Sequence, residues 1–97
     1  MKDQENLEIL RKIYKKPDSS QRELAKDLGF SLGKLNYCIK ALQQNGFLKI
    51  KNFQKQNDKV SYMRYILTPK GISLRTKLTI DFMKRKMKEY DELKSEL

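Results

Sequence analysis

Polar residues recur at helical spacing between positions 31 and 44, and their side chains suit contacts with nucleic-acid bases. Asn can bond two atoms of an adenine edge, Lys a guanine edge or a phosphate, and Tyr a phosphate oxygen or a thymine methyl group. Projected as a helix, the set falls at the helix start or roughly opposite its apolar side. It comprises Ser31, Gly33, Lys34, Asn36, Tyr37, Lys40 and Gln44. An ordinary solvated helix face has a similar pattern, so the neighbouring elements must decide between the two interpretations.

Basic residues are concentrated between positions 47 and 70, where six Lys or Arg accompany a single Asp. The whole chain has 22 Lys and Arg against 12 Asp and Glu, which gives a formal charge of +10. This excess favours a polyanionic partner, most often nucleic acid. The residues expected to contact a phosphate backbone are Lys51, Lys55, Lys59 and Arg64, with Lys49 beside them. Lys also commonly protects edge strands from aggregation, which is the alternative interpretation.

The chain has no His and a single Cys, Cys38. This composition excludes zinc sites of Cys and His, a disulfide within one chain, and acid–base catalysis by His. The sequence also lacks a nucleophile elbow, a phosphate-binding Gly-rich loop and usefully paired carboxylates. We therefore expect no enzymatic activity, no cofactor and no metal. Cys38 falls on an apolar helix side, where burial disfavours a redox-sensing thiolate.

Three helices are expected to position the polar residues. In the first, Leu7, Leu10, Ile13 and Tyr14 have the spacing of an amphipathic helix that must end before Pro17. Ser20 and Ser31 are suited to cap the next two helices, and Gly29 to end the earlier of them. The second helix is expected to bury Leu24, Ala25 and Leu28, and the third Leu32, Leu35, Cys38, Ile39 and Leu42. With Asn45-Gly46 ending the third helix, the pair forms a helix-turn-helix.

Two β-prone runs follow, residues 47–53 and residues 61–67, separated by a polar segment with a turn signal at Asn57-Asp58. A hairpin directly after a helix-turn-helix is a wing. The predicted fold is therefore mainly α with a small β-hairpin, a winged helix-turn-helix that occupies residues 1–70. A long C-terminal helix occupies residues 71–97.

The last helix is expected to be capped by Thr68, to begin at Pro69 and to run nearly to Leu97, a length of about 40 Å. Leu74 and Leu78 lie together on one side, as expected for contact with the domain core. A second apolar set has no cover within one chain: Ile80, Phe82, Met83, Met87, Tyr90, Leu93 and Leu97. We interpret this set as a homodimer interface, in preference to a ligand site.

Several motifs resemble those of MarR-type winged helix-turn-helix regulators of bacteria. They are Gln21-Arg22-Glu23-Leu24-Ala25, the segments 31–38 and 41–48, and Tyr65-Ile66-Leu67-Thr68-Pro69-Lys70-Gly71, which is similar to the family's junction between wing and dimerisation helix. The short chain is most similar to the regulators associated with exopolysaccharide gene clusters. The resemblance implies a homodimeric transcription factor whose third helix enters the major groove while the wing tip touches the backbone or minor groove.

Two positions depart from the family pattern. The wing often carries an Asp-x-Arg pair whose Arg enters the minor groove, but residues 57–61 here read Asn-Asp-Lys-Val-Ser. Lys55 or Lys59 must substitute if such a contact exists. The recognition helix often carries Arg where this chain has Tyr37, so the family's base-reading residues cannot be transferred directly.

The sequence thus predicts a cytoplasmic homodimer, most simply a repressor, that binds a pseudo-palindromic operator in double-stranded DNA. No membrane partner is expected, and the sequence does not identify whether a small-molecule effector binds. Two alternatives stay open: a winged helix that binds another protein through its long helix, and a nucleic-acid binder without sequence preference. The basic wing is compatible with both.

Overall fold

The structure is a computed structural model of the 97-residue chain, and it describes residues 3–54 and 61–97. The elements follow in the order α1 (Asp3–Lys15), α2 (Gln21–Leu28), α3 (Leu32–Gln44), β1 (Leu48–Gln54), β2 (Ser61–Leu67) and α4 (Pro69–Ser95). The two strands pair in antiparallel orientation. The predicted fold class is confirmed: a mainly α-helical winged helix-turn-helix with a small hairpin and a long C-terminal helix.

One apolar core joins all six elements. Its buried apolar residues are Leu7, Ile9, Leu10 and Ile13 of α1, Leu24 and Ala25 of α2, Leu35, Cys38, Ile39 and Leu42 of α3, Leu48 of β1, Tyr65 of β2 and Leu78 of α4. A fully buried Leu or Ile side chain contributes about 1.5–3 kcal/mol. Burial on this scale is what fixes the orientation of each helix.

Two residues expected in the core lie outside it. Tyr14 is 59% exposed, and the guanidinium of Arg75 lies 4.1 Å from the centroid of its ring. Leu32 is 43% exposed because it occupies the first turn of α3, where it faces an open crevice beside Ser20 and Tyr65. Periodicity placed both residues on the apolar side of a helix, but the packing of the described elements leaves both side chains exposed.

The register of the hairpin separates a core face from an outer face. Leu48 pairs with Leu67 and Ile50 with Tyr65, and Lys51 lies opposite Arg64. Because side chains alternate across a strand, Leu48 and Tyr65 point into the core while Lys51 and Arg64 share the outer face. The predicted turn at residues 57–58 lies outside the described residues.

The helix α4 begins at the predicted cap, where the Thr68 hydroxyl accepts a hydrogen bond from the Gly71 N–H at 3.0 Å. Its first half packs mainly against α1, with Leu78 buried and Leu74 and Phe82 partly buried against the core. From residue 83 onward every side chain is exposed. The projecting helix contributes to the 61 Å long dimension of the molecule.

The start of α4 approaches the backbone of the wing too closely for any side chain at position 71. A Cβ atom added to Gly71 would overlap the carbonyl oxygen of Phe47. That same oxygen accepts a hydrogen bond from the Thr68 N–H at 3.2 Å. Gly71 is therefore required by packing between backbones, since its own φ is not in the left-handed region.

Gly71→Ala is expected to lower the free energy of unfolding by about 1–3 kcal/mol, because the contact it creates is with backbone that cannot move aside cheaply. Thermal and urea unfolding followed by circular dichroism measure the change. Gly33→Ala is the matched control, since a Cβ there meets nothing within 4 Å. This variant should be neutral or more stable by up to about 1 kcal/mol. Equal stabilities for the two variants would contradict the assigned contact.

Candidate nucleic-acid interface

The turn between α2 and α3 is defined by local hydrogen bonds. The Ser20 hydroxyl accepts from the Glu23 N–H at 3.2 Å, and the Ser31 hydroxyl accepts from the Lys34 N–H at 3.1 Å. Gly29 adopts a left-handed conformation with φ of 71°, which ends α2 as its sequence position predicts. These contacts confirm the two predicted caps and set where α3 begins. The Ser31 hydroxyl, one of the predicted DNA contacts, accepts the bond from Lys34 and keeps its own O–H as a donor.

The side of α3 opposite the core forms an exposed strip, defined as Gly33, Tyr37, Lys40 and Gln44. All four residues are exposed, and Tyr37 has 68% of its surface accessible. Their spacing of three and four residues keeps them on one line along the helix. The strip offers a cation, an amide and a phenol on a rigid element, and Gly33 leaves the backbone uncovered beside them.

The other two predicted residues lie on the flanks of this strip and contact neighbouring helices. On one flank, the Lys34 ammonium lies 2.8 Å from a Glu5 carboxylate oxygen of α1 and 4.4 Å from the Phe30 ring centroid. The hydrogen bond to Glu5 raises the pKa of Lys34. The ammonium therefore stays charged, but an internal carboxylate already compensates that charge.

Asn36 lies on the opposite flank and is half-buried. Its side-chain oxygen accepts a hydrogen bond from the Gln21 amide of α2 at 3.3 Å. A carbonyl oxygen has a second lone pair, and the Asn36 amide group retains two donors. Gln21 therefore fixes the orientation of Asn36 while leaving it able to bond a base edge.

Two of the predicted wing residues lie in the described part of the hairpin. Lys51 is exposed and lies directly opposite Arg64. Like charges at directly opposite positions of two strands repel each other. The Arg64 Nε atom lies 3.1 Å from an Asp18 carboxylate oxygen, so Arg64 is drawn toward the segment between α1 and α2. Lys49 is exposed on the same outer face. Lys55 and Lys59 lie outside the described residues.

The base of the wing is held by contacts that connect distant segments. The Tyr65 N–H donates to the Pro17 carbonyl at 3.3 Å, and the Thr68 hydroxyl donates to the Gly46 carbonyl at 2.6 Å. The Lys70 ammonium donates to the Asn45 carbonyl at 2.9 Å. The start of α4 is thereby joined to the end of α3.

Cys38 and Tyr65 are titratable groups within the core. Burial raises the pKa of the Cys38 thiol, which favours the protonated thiol over the reactive thiolate. Burial also raises the pKa of the Tyr65 hydroxyl. Both groups are therefore uncharged at neutral pH and act here as packing residues.

Most of the predicted interface residues on α4 form an exposed apolar stripe, which we define as Ile72, Ile80, Met83, Met87, Tyr90, Leu93 and Leu97. Met87 in its centre is 65% exposed. Phe82 differs from the rest of the predicted set because its side chain packs against the core of its own chain. Ile72 was not predicted. It precedes Met83 by 11 residues and Tyr90 by 18 residues, and both spacings place it on the same side of the helix. The sequence could therefore have indicated it.

Sequence reasoning missed the residues that hold the candidate site from other elements: Glu5, Asp18 and Gln21. Gln21 and Asn36 are 15 residues apart, and Glu5 and Lys34 belong to α1 and α3. Spacing within one helix carries no information about such pairs.

Among the described residues, every helix falls short of the apolar length that crossing a membrane requires.

Part of the chain matches a known protein family. Residues 3–49 match the family model described as winged helix-turn-helix DNA-binding. This segment holds α1, α2, α3 and the first residues of β1. No curated protein matches the chain by sequence.

Solved structures of regulators share the fold. Staphylococcus aureus MarR in complex with salicylate and kanamycin is 24% identical, with a TM-score of 0.67, and the match covers 91% of this chain and 57% of that one. Streptococcus pneumoniae FabT in complex with DNA is 22% identical, with a TM-score of 0.61 and coverages of 91% and 59%. PcaV from Streptomyces coelicolor in complex with its natural ligand is 16% identical, with a TM-score of 0.67 and coverages of 82% and 55%.

The chain therefore has a winged helix-turn-helix fold. Its fold is that of MarR-family regulators, as the motifs of the sequence led us to expect. It spans between 55% and 59% of the length of the three structures described above.

The two Lys residues of α3 are expected to differ in their contribution to DNA binding. Lys40→Ala should reduce the slope of log K against log salt by about one unit. Lys34→Ala should reduce it by less, because Glu5 already compensates the Lys34 charge. Fluorescence anisotropy on a random-sequence duplex at several salt concentrations measures both slopes. Glu5→Gln is the complementary variant and should make the slope steeper by releasing Lys34. Equal losses from both Lys variants would contradict this difference.

Proposed function

We propose that this chain is a transcriptional regulator that binds double-stranded DNA as a homodimer and reads its sequence with α3. The exposed strip on α3 is the observation that carries the proposal. Gly33, Tyr37, Lys40 and Gln44 face solvent while the opposite side of the same helix is buried. A helix held this firmly by its core can enter a major groove without losing its own packing.

The flank residue Asn36 is the candidate for base recognition. Gln21 holds its side chain from α2, so little rotamer freedom is lost when it binds. Tyr37 and Lys40 lie beside it and suit a phosphate, a thymine methyl group or a guanine edge. This combination of a restrained amide and an adjacent cation supports sequence reading over contact with the DNA backbone alone.

The wing supports the same proposal through charge. Lys49 and Lys51 are exposed on the outer face of the hairpin, where they attract an anion, while Arg64 opposite Lys51 is drawn toward Asp18. A DNA phosphate is such an anion, and each neutralised phosphate also releases counterions. Lys55 and Lys59 remain proposed contacts from the sequence. A relative of the same fold, FabT of Streptococcus pneumoniae, is described in complex with DNA.

The homodimer is proposed from the exposed apolar stripe of α4. Contiguous exposed apolar surface of this kind is typical of protein–protein interfaces. The division into a DNA-binding domain, residues 1–70, and a dimerisation helix, residues 71–97, belongs to the same proposal. The core of the DNA-binding domain then includes Leu78 from the first half of that helix.

Two-fold symmetry sets what such a dimer would bind. It requires a pseudo-palindromic operator whose half-sites are about one helical turn apart, on the order of 10 bp centre to centre. A dimer bound across a promoter in the cytoplasm would repress transcription by occluding it. The proposed target, a polysaccharide gene cluster, rests on the motif resemblance alone.

Binding to DNA from upstream of its own gene tests the proposal. Fluorescence anisotropy at physiological salt should give a preference of about 10³-fold or more over a scrambled duplex of equal length. Asn36→Ala should lose about 1–3 kcal/mol of discrimination at one base in each half-site. Gln21→Ala should relax the same base, and the two substitutions together should cost less than their sum, because Gln21 acts through Asn36.

A selection of binding sites from random DNA extends the test to operators elsewhere in the genome. Retention of full base preference by Asn36→Ala would reject the assignment of Asn36. Equal affinity for all duplexes in both experiments would reject sequence reading and favour a nonspecific or protein-binding role for the wing.

Met87→Glu is expected to convert a dimer into a folded monomer, because it places a charge at the centre of the apolar stripe. Sedimentation equilibrium at micromolar concentration should give twice the 11.6 kDa protomer mass for the parent chain and the protomer mass for the variant. Lys88→Gln is the matched control, since it changes the charge by the same amount on the other side of α4. A monomeric parent chain would overturn the homodimer.

A further inference from the structure

The charges of α4 are segregated along its length. Between Pro69 and Lys88 there are seven basic residues and one acidic residue, Asp81, and the basic residues cluster most densely at positions 84–88. From Glu89 to Leu97 there are four acidic residues and one basic residue, Lys94. All side chains from residue 83 onward are exposed. The exposed half of the helix thus has a basic segment followed by an acidic one.

Five residues of the apolar stripe on the same half have the period of a coiled-coil seam, and Leu93 lies beside that seam. Ile80, Met83, Met87, Tyr90 and Leu97 are separated by three, four, three and seven residues, with Lys94 at the remaining seam position. Alternate spacings of three and four keep the seam facing a single partner helix. The residues that α4 packs against its own core, Leu74, Leu78 and Phe82, lie on a different side. A second helix can therefore cover the seam without displacing α1.

We propose that the seam is covered by α4 of a second copy of this chain in antiparallel orientation, with Met87 opposite the partner's Tyr90. This inference rests on the proposed homodimer and adds its geometry. In this register Ile80 lies opposite the partner's Leu97 and Met83 opposite the partner's Lys94. All seam positions from residue 80 to residue 97 are then paired, over a length of about 27 Å.

Charge complementarity selects this orientation over a parallel one. The antiparallel register places the basic residues 84–88 level with residues 89–93 of the partner, three of which are acidic. The same attraction occurs twice because of the two-fold axis. A parallel pair would instead place the two basic segments, residues 84–88 of each copy, at the same level along the pair, where like charges repel. The ion pair between Lys86 and Glu89 within one helix, at 3.2 Å, lies at the boundary of the two segments and is compatible with this register.

Disulfide trapping between two single-substitution variants tests the orientation. Met83→Cys and Lys94→Cys proteins are mixed in equal amounts, allowed to exchange subunits and oxidised gently, and the products are identified by intact mass. In the proposed register the two new thiols of a mixed dimer face each other. Copies of the same substitution are separated by 11 residues, about 16 Å along the helix, which is beyond disulfide reach. The mixed disulfide should therefore be the main crosslinked product.

Two controls exclude accidental oxidation. The parent chain retains only Cys38, which is buried, and should form no crosslinked dimer. Arg85→Cys places a thiol on the helix side away from the seam and should crosslink poorly. Peptide mapping of the mixed product should assign the bond to positions 83 and 94.

Each other result overturns a defined part of the inference. Homodisulfides from either variant in preference to the mixed product would establish a parallel pair. A dimer of the correct mass that forms no disulfide at these positions would reject the register. A parent chain that sediments as a monomer would reject the homodimer itself, and with it part of the proposed function.

Discussion

Burial of one side of α3 is the interaction on which the candidate site depends. Leu35, Cys38, Ile39 and Leu42 are at most 1% exposed, and each fully buried Leu or Ile contributes about 1.5–3 kcal/mol. A helix cap contributes about 1 kcal/mol, so Ser31 defines where α3 begins while the core decides which way it faces. The strip of polar residues is exposed because the opposite side cannot leave the core.

Polar contacts with neighbouring helices then orient the side chains on the two flanks of that strip. Gln21 orients Asn36 through a hydrogen bond of the kind that contributes about 0.5–1.5 kcal/mol, too little to hold a helix but enough to favour one side-chain orientation. Glu5 draws Lys34 toward α1. The two flanks of α3 are therefore unequal: one presents a restrained amide, and the other a cation already paired within the protein.

The long helix α4 connects the candidate DNA-binding surface to the proposed dimer interface. Its start is tied to the end of α3 by the bonds from Thr68 to Gly46 and from Lys70 to Asn45. Its first half packs against α1, and Gly71 lets it approach the wing closely. In the proposed homodimer, the pairing of the two projecting halves therefore sets the position of both α3 helices through continuous, hydrogen-bonded structure. In this arrangement the spacing of DNA half-sites follows from how two α4 helices meet.

The sequence by itself determined the features that depend on neighbouring residues. Ser20, Ser31 and Thr68 cap helices, and Gly29 ends one, because the hydrogen bonds involved span only a few residues. The apolar side of each helix was also readable from its period. Tertiary structure alone decided how far that side is covered, which left Tyr14 and Leu32 exposed. It also decided which residues from other elements contact the candidate site, such as Glu5 of α1, which pairs with Lys34 of α3. Periodicity describes the sides of a single helix, whereas these contacts depend on how two elements pack together.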